Sequence, residues 1–97
     1  MIVKIHKTEN KQIILAVCDT EILGKKFEEG NKQLDLNSDF YKGDEKSDKE
    51  VSDLMRNCYT LNLVGEKTIK LALGDGLIVT GNIKKIAKIP YANVILL

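Results

Sequence analysis

The spacing of apolar residues changes period several times along the chain, and each change marks a predicted element. At the start, Ile2, Val3 and Ile5 are interleaved with Lys4 and His6. Residues two apart in a strand share a face, so residues 2–7 are predicted to form a half-exposed strand with Lys4 and His6 on one side. Thr8-Glu9-Asn10-Lys11 is polar and turn-like, and Ile13–Cys18 is an unbroken apolar run of the length of a strand covered on both faces. Together they form an N-terminal β-hairpin. Asp19 then stands where an N-cap would start a helical turn over Thr20–Leu23, with Gly24 placed to stop it. Lys25–Asn31 is charged around one large apolar residue, Phe27, and punctuated by Gly30; alternation resumes in Gln33-Leu34-Asp35-Leu36, a third strand.

In the second half the period lengthens. Ser47 followed by Glu50 has the spacing of a capping box, in which each side chain serves the other residue's backbone N–H. Val51, Leu54, Met55 and Cys58 then fall at i, i+3, i+4 and i+7, one face of a helix. Tyr59–Val64 alternates as a strand and Gly65 breaks it. Glu66–Leu73 carries Ile69, Ala72 and Leu73 on one helical stripe, with Glu66 and Lys70 one turn apart. Gly74-Asp75-Gly76 supplies glycines that accept positive φ at the helix end, after which Leu77-Ile78 folds back onto the stripe. Ile83, Ile86 and Ile89 recur every third residue, as in a helix. Their β-branched density and Pro90 suit instead a strand leading to a turn and a last strand Val94–Leu97, and periodicity leaves both readings open.

Composition narrows the class. Of the 97 residues 43% are hydrophobic and 30% charged, which places the chain among globular domains and makes it one small domain, 1–97. No stretch approaches the ~18 consecutive apolar residues of a membrane span, and no basic patch followed by an apolar run signals secretion. Two cysteines, Cys18 and Cys58, are fewer than a small disulfide scaffold uses, so both are expected to be reduced, in a cytoplasmic protein. The formal net charge is +1, but its distribution is uneven. Residues 76–97 hold three lysines (Lys84, Lys85, Lys88) and no acid, whereas residues 42–53 hold five acids and three lysines.

Read in order, Val17-Cys18-Asp19, Glu21-Ile22-Leu23-Gly24-Lys25-Lys26-Phe27-Glu28-Glu29-Gly30 and Phe40-Tyr41-Lys42-Gly43 form a text that resembles the small archaeal proteins grouped as domain of unknown function 424. The likeness continues through Leu61-Asn62-Leu63-Val64-Gly65-Glu66-Lys67 and Gly76-Leu77-Ile78 to Pro90. The resemblance implies an archaeal, cytoplasmic, free-standing α+β domain and brings with it no activity, cofactor or catalytic residue. Such proteins often carry Gly near positions 87 and 88, which favours strand for Ile83–Ile89, and His where this chain has Tyr91, so no role passes to that position.

The candidate chemistry is sparse. Cys18-Asp19 sits where a strand gives way to a helical turn, a place that can activate a thiol, but the one base available to it is the single His, His6. Two cysteines and one histidine fall short of the four ligands of a zinc site, and Gly43 is out of register for a calcium loop around Asp39, Asp44 and Asp48. Gly65-Glu66-Lys67-Thr68 opens a helix whose amides attract anions, yet the earlier glycine of a phosphate loop is missing and Glu66 brings negative charge. Lys25, Lys26, Lys84, Lys85 and Lys88 are the candidate contacts to a polyanion, and Tyr41 the candidate base-stacking or partner-anchoring residue.

These readings converge on an α+β domain, a mostly antiparallel sheet built from the N-terminal hairpin, Leu34–Leu36, Thr60–Val64 and the C-terminal strands, with two helices packed on one face. With no complete catalytic set, no cofactor signature and no metal ligands, the expected function is a non-enzymatic binding module. Its expected partner is RNA or a translation-related assembly, held through Lys25, Lys26, Tyr41, Lys84, Lys85 and Lys88. Two alternatives stand beside it. One is a small enzyme or phosphate-ligand binder using Cys18, Asp19, Asn62, Gly65 and Lys67, which requires those groups to line one pocket. The other is a protein-interaction subunit with a contiguous exposed apolar patch.

Overall fold

The computed structural model describes residues 1–96. Strands β1 (Ile2–Lys7), β2 (Ile13–Cys18), β5 (Asp44–Glu45), β6 (Thr60–Val64), β7 (Lys84–Ile86) and β8 (Ile89–Ile95) form one sheet in the order β5-β1-β2-β6-β8-β7. All neighbours in it are antiparallel except β2 and β6, which run parallel and end together, Cys18 opposite Val64. Helices α1 (Asp48–Arg56) and α2 (Glu66–Gly74) cover one face. There Val3, Leu15, Val17, Leu61, Leu63 and Ala92 of the sheet meet Val51 and Met55 of α1 and Ile69 and Ala72 of α2. Each large side chain so enclosed contributes roughly 1.5–3 kcal/mol through the water it sheds.

Helix boundaries follow the predicted chemistry. Ser47 accepts from the Glu50 amide at 3.2 Å while the Ser47 amide donates to Glu50 Oε1 at 3.1 Å, the reciprocal pair of a capping box. At the far end of α2, the Leu77 amide donates to Ala72 and the Gly76 amide to Leu73, the two bonds of a Schellman closure, with Gly76 at φ 73°. Ile78 then returns to the core as expected, 4% exposed.

Two local expectations need correction. Residues 34–36 do not join the main sheet: β3 (Lys26–Glu29) and β4 (Lys32–Asp35) pair only with each other, as a hairpin laid over the second face of the sheet. Leu34, Leu36 and Phe27 pack there against Ile2, Cys18, Val64 and Ile86, because that end of the second face is apolar and needs a cover. The charged stretch before Gly30 supplies β3. Pro90, in turn, does not introduce a turn; it lies second in β8, which runs straight on to Ile95, while Leu97 of the expected last strand lies outside the described residues. Between the two readings of residues 83–89, the fold takes strand and turn rather than helix, with Ala87 and Lys88 at φ 50° and 69° linking β7 to β8.

Candidate functional site

The two parallel strands end side by side, and the residues that follow them meet. Asp19 does not cap the short turn after it, which makes no side-chain cap bond. Its carboxylate crosses to α2 instead, accepting from the Lys67 amide at 3.0 Å, the Thr68 amide at 2.8 Å and the Thr68 hydroxyl at 2.8 Å. The residue at the start of α2 is Gly65, which has no side chain to serve these donors and sits at φ 111°; a Cβ there would fall within the Asp19 carboxylate. The amides that would hold a phosphate are thus already occupied by a protein anion.

Beside this corner a cleft of 690 Å³ runs along α2. Lys67, Lys70 and Asp75 lie on the α2 side, with Glu21, Asp48 and Met1 among the other lining residues. Lys67 pairs with Glu21 at 3.2 Å, so the cation one turn from Glu66 is not the one engaged. That ion pair, after a bond from its own backbone, holds the exposed Glu21 carboxyl below its usual range. Of the other residues considered with this corner, Cys18 is fully buried. Burial foremost, then the adjacent Asp19 charge, pushes its thiol up to about 11. His6 lies at the opposite end of the hairpin, paired with Ile14, four residues of β2 away from Cys18. At ~3.3 Å per strand residue that is about 13 Å, so no thiol–imidazole pair forms. Asn62 points from the other face of the sheet, two residues short of the end of β6. Asp19, Gly65 and Lys67 therefore come together, and Cys18, Asn62 and His6 do not join them. Among the described residues no group of three potential metal ligands converges.

The second face of the sheet is divided into rows by its register. One row, Ile2–Cys18–Val64–Tyr91–Lys84, lies at the end of the face where the β3–β4 hairpin packs. The next, Lys4–Ala16–Asn62–Asn93, and the outermost, His6–Ile14–Thr60–Ile95, lie beyond the hairpin's apolar contacts. In them Asn93 and Ile95 are exposed, Lys4, His6, Ile14, Thr60 and Asn62 half-buried, and Ala16 buried. Among the described residues neither the Asn62 nor the Asn93 side-chain amide makes a hydrogen bond, although the two residues are register partners. The loop before β5 walls this platform: Phe40 stacks on His6 with ring centroids 4.5 Å apart and 11° between planes, and His6 Nε2 lies 3.0 Å from the Phe40 carbonyl. Tyr41 meets Phe40 edge-on at 5.2 Å and packs with the row of Cys18 and Val64, where burial raises its phenol above the usual range.

The lysines singled out in the sequence do not form one patch. Lys84 and Lys85 are consecutive in β7 and so point to opposite faces, Lys84 on the side of Tyr91. Lys88 occupies the β7–β8 turn, Lys26 pairs with Glu28 at 3.4 Å, and Lys25 is exposed just before β3. Lys4, Asn62 and Asn93 share a row instead, a neighbourhood set by strand register, which alternation within single strands does not reveal.

Comparison with known proteins agrees with this architecture. The family model for proteins of unknown function DUF424 matches residues 6–97. The chain belongs to the DUF424 family. No curated protein matches the sequence. A crystal structure of an uncharacterized conserved protein from Methanopyrus kandleri is similar, with a TM-score of 0.78 at 20% identity, over 96% of this chain and 88% of that one. At that identity the likeness concerns the fold, so the DUF424 domain has the α+β architecture with its two helices on one face of a mostly antiparallel sheet. None of its described helices is long and apolar enough to cross a membrane.

Proposed function

We propose that this DUF424 protein is a non-enzymatic RNA-binding module of the archaeal cytoplasm, working alone or within a translation-related assembly, and that it holds single-stranded RNA on the outer rows of its sheet. The observation that carries this reading is the register pair Asn62–Asn93, two amides with unspent hydrogen bonds in one row with Lys4. Single-stranded bases are read by groups that hydrogen-bond their edges and by aromatic planes they stack against, and a sheet face beside a His6–Phe40 stack offers both kinds. Lys4 and Lys84, at opposite sides of that face, are placed to meet backbone phosphates. Lys25, Lys26 and Lys88 supply attraction from the hairpin side, and Lys85 faces away. Tyr41 anchors the wall rather than contacting a base.

Fluorescence anisotropy with a labelled single-stranded RNA tests the reading. Binding should weaken as salt rises, with a log–log slope of about −0.7 per phosphate contacted. Asn62→Ala with Asn93→Ala should weaken it by about tenfold or more, because a base edge deprived of its hydrogen-bonding side chain costs ~1–3 kcal/mol. Binding that ignores salt, or that survives the double substitution unchanged, would refute it.

A further inference from the structure

Strand β8 is an inner strand of the sheet only in its first half. Backbone groups in a strand point alternately to either side. Here the Pro90 carbonyl accepts from the Gly65 amide at 2.8 Å and the Leu96 amide donates to Tyr59 at 2.7 Å, both toward β6. The amides and carbonyls of Ile89, Tyr91, Asn93 and Ile95 therefore face away from β6. On that side β7 meets β8 only as far as Tyr91. The turn Thr80–Asn82 lies beside β8 but makes no backbone hydrogen bond to it. Among the described residues this leaves the backbone groups of Asn93 and Ile95 without a backbone partner. An unpaired edge is a template for a further strand, and edges that stay single are covered or carry charge. The opposite edge of the sheet does both: β5 lies over the start of β1, which bears Lys4 and Lys7, with Lys42 and Lys46 beside it. Ala92–Ile95 carries no charge, and Ile95 is 64% exposed.

We infer that β8 pairs antiparallel with β8 of a second copy of this chain, across a two-fold axis at Ile95. In a hydrogen-bonded antiparallel pair two opposite residues exchange both bonds, so a residue facing its own counterpart satisfies its amide and its carbonyl at once. The two side chains of such a pair share a face, with Cα atoms about 5.5 Å apart, and each exposed isoleucine covers the other. No like charges meet across this axis, whereas β1 joined to a second β1 would bring lysines together. A two-fold contact uses the same surface on both copies and closes at a dimer. Its small extent makes that dimer a weak one, in equilibrium with the monomer. On the second face the outermost row then runs from His6 through Ile14, Thr60 and Ile95 into the same residues of the second copy. The inference does not rest on the RNA reading, since it concerns association of the chain alone.

Sedimentation equilibrium of the whole chain without nucleic acid, from micromolar to near-millimolar concentration, tests the inference. The average mass should rise with concentration from monomer to dimer and no further. Ile95→Lys and Ile95→Glu should each weaken self-association about tenfold or more, through lost apolar cover and like charges face to face. Ile5→Lys, at the other exposed isoleucine of the sheet, should leave it unchanged. An equimolar mixture of the two Ile95 variants should associate more tightly than either alone, because the axis sets position 95 opposite itself. A chain that stays monomeric throughout leaves the edge to a strand of another protein and overturns the inference. So would a dimer indifferent to both Ile95 substitutions, or a mixture no tighter than its components, and each of these results leaves the RNA reading untouched.

Discussion

The carboxylate of Asp19 accepts both the amide and the hydroxyl of Thr68, forty-nine positions away, at 2.8 Å each. The end of one parallel strand thus caps the helix that follows the other. Asp19→Ala should cost about 2–3 kcal/mol in urea unfolding, because the cap is removed and buried donors are left unserved. Thr68→Val, which leaves the two backbone donors served, should cost about 1 kcal/mol.

Gly65 is tied to the same carboxylate. At φ 111°, with the Asp19 side chain where a Cβ would go, Gly65→Ala should destabilise by about 2 kcal/mol or more. The two substitutions should not be additive. In the Asp19→Ala background the steric part of the Gly65→Ala penalty disappears, and a double-mutant cycle should return a coupling of about 1 kcal/mol.

The β7–β8 turn runs the other way. Ala87 and Lys88 hold φ values of 50° and 69° at a strain that glycine or asparagine would not feel. Replacing Ala87 by Asn and Lys88 by Gly should stabilise the fold by roughly 1 kcal/mol, read as a rise in thermal midpoint. Glu29 Oε1 accepts the Ala87 amide at 2.7 Å, and this bond is kept by both replacements.

Cys18 is expected to resist alkylation in the folded protein, where Cys58, half-buried, reacts first. Its thiol titrates near 11 in the fold, above the ordinary value of 9.0 that it regains on unfolding. The unfolded chain therefore ionises first, so the stability is complete below pH 9.0 and declines as pH rises toward 11. Unfolding free energies measured across that interval should fall, and Cys18→Ala should flatten the fall.

Much of the fold is legible in local pattern because local chemistry determines it. Ser47 and Glu50 cap α1 through neighbours three apart, and Gly76 closes α2 within its own turn. What local pattern hides is set by partners distant in sequence. Asp19 has the composition of a cap for the residues after it, yet the free amides of α2 lie nearer its carboxylate once β2 and β6 pair. Leu34 alternates like a sheet strand, but the main sheet is complete without it and the apolar end of the second face needs a cover. Asn62 stands out along the chain only for its place before the Gly65 turn, and its register partner Asn93 carries no signal of its own. The proposed platform is assembled only across strands, so the order of residues shows its lysines and conceals its centre.

The most direct test of the platform is an amide-resolved NMR titration of the uniformly labelled protein with a short single-stranded RNA. The shifts should concentrate in residues 4–6, 14–16, 60–62 and 93–95 and at Phe40, leaving α1 and α2 still. Shifts confined to the helices or to the α2 cleft, or none at saturating RNA, would contradict the assignment of this face.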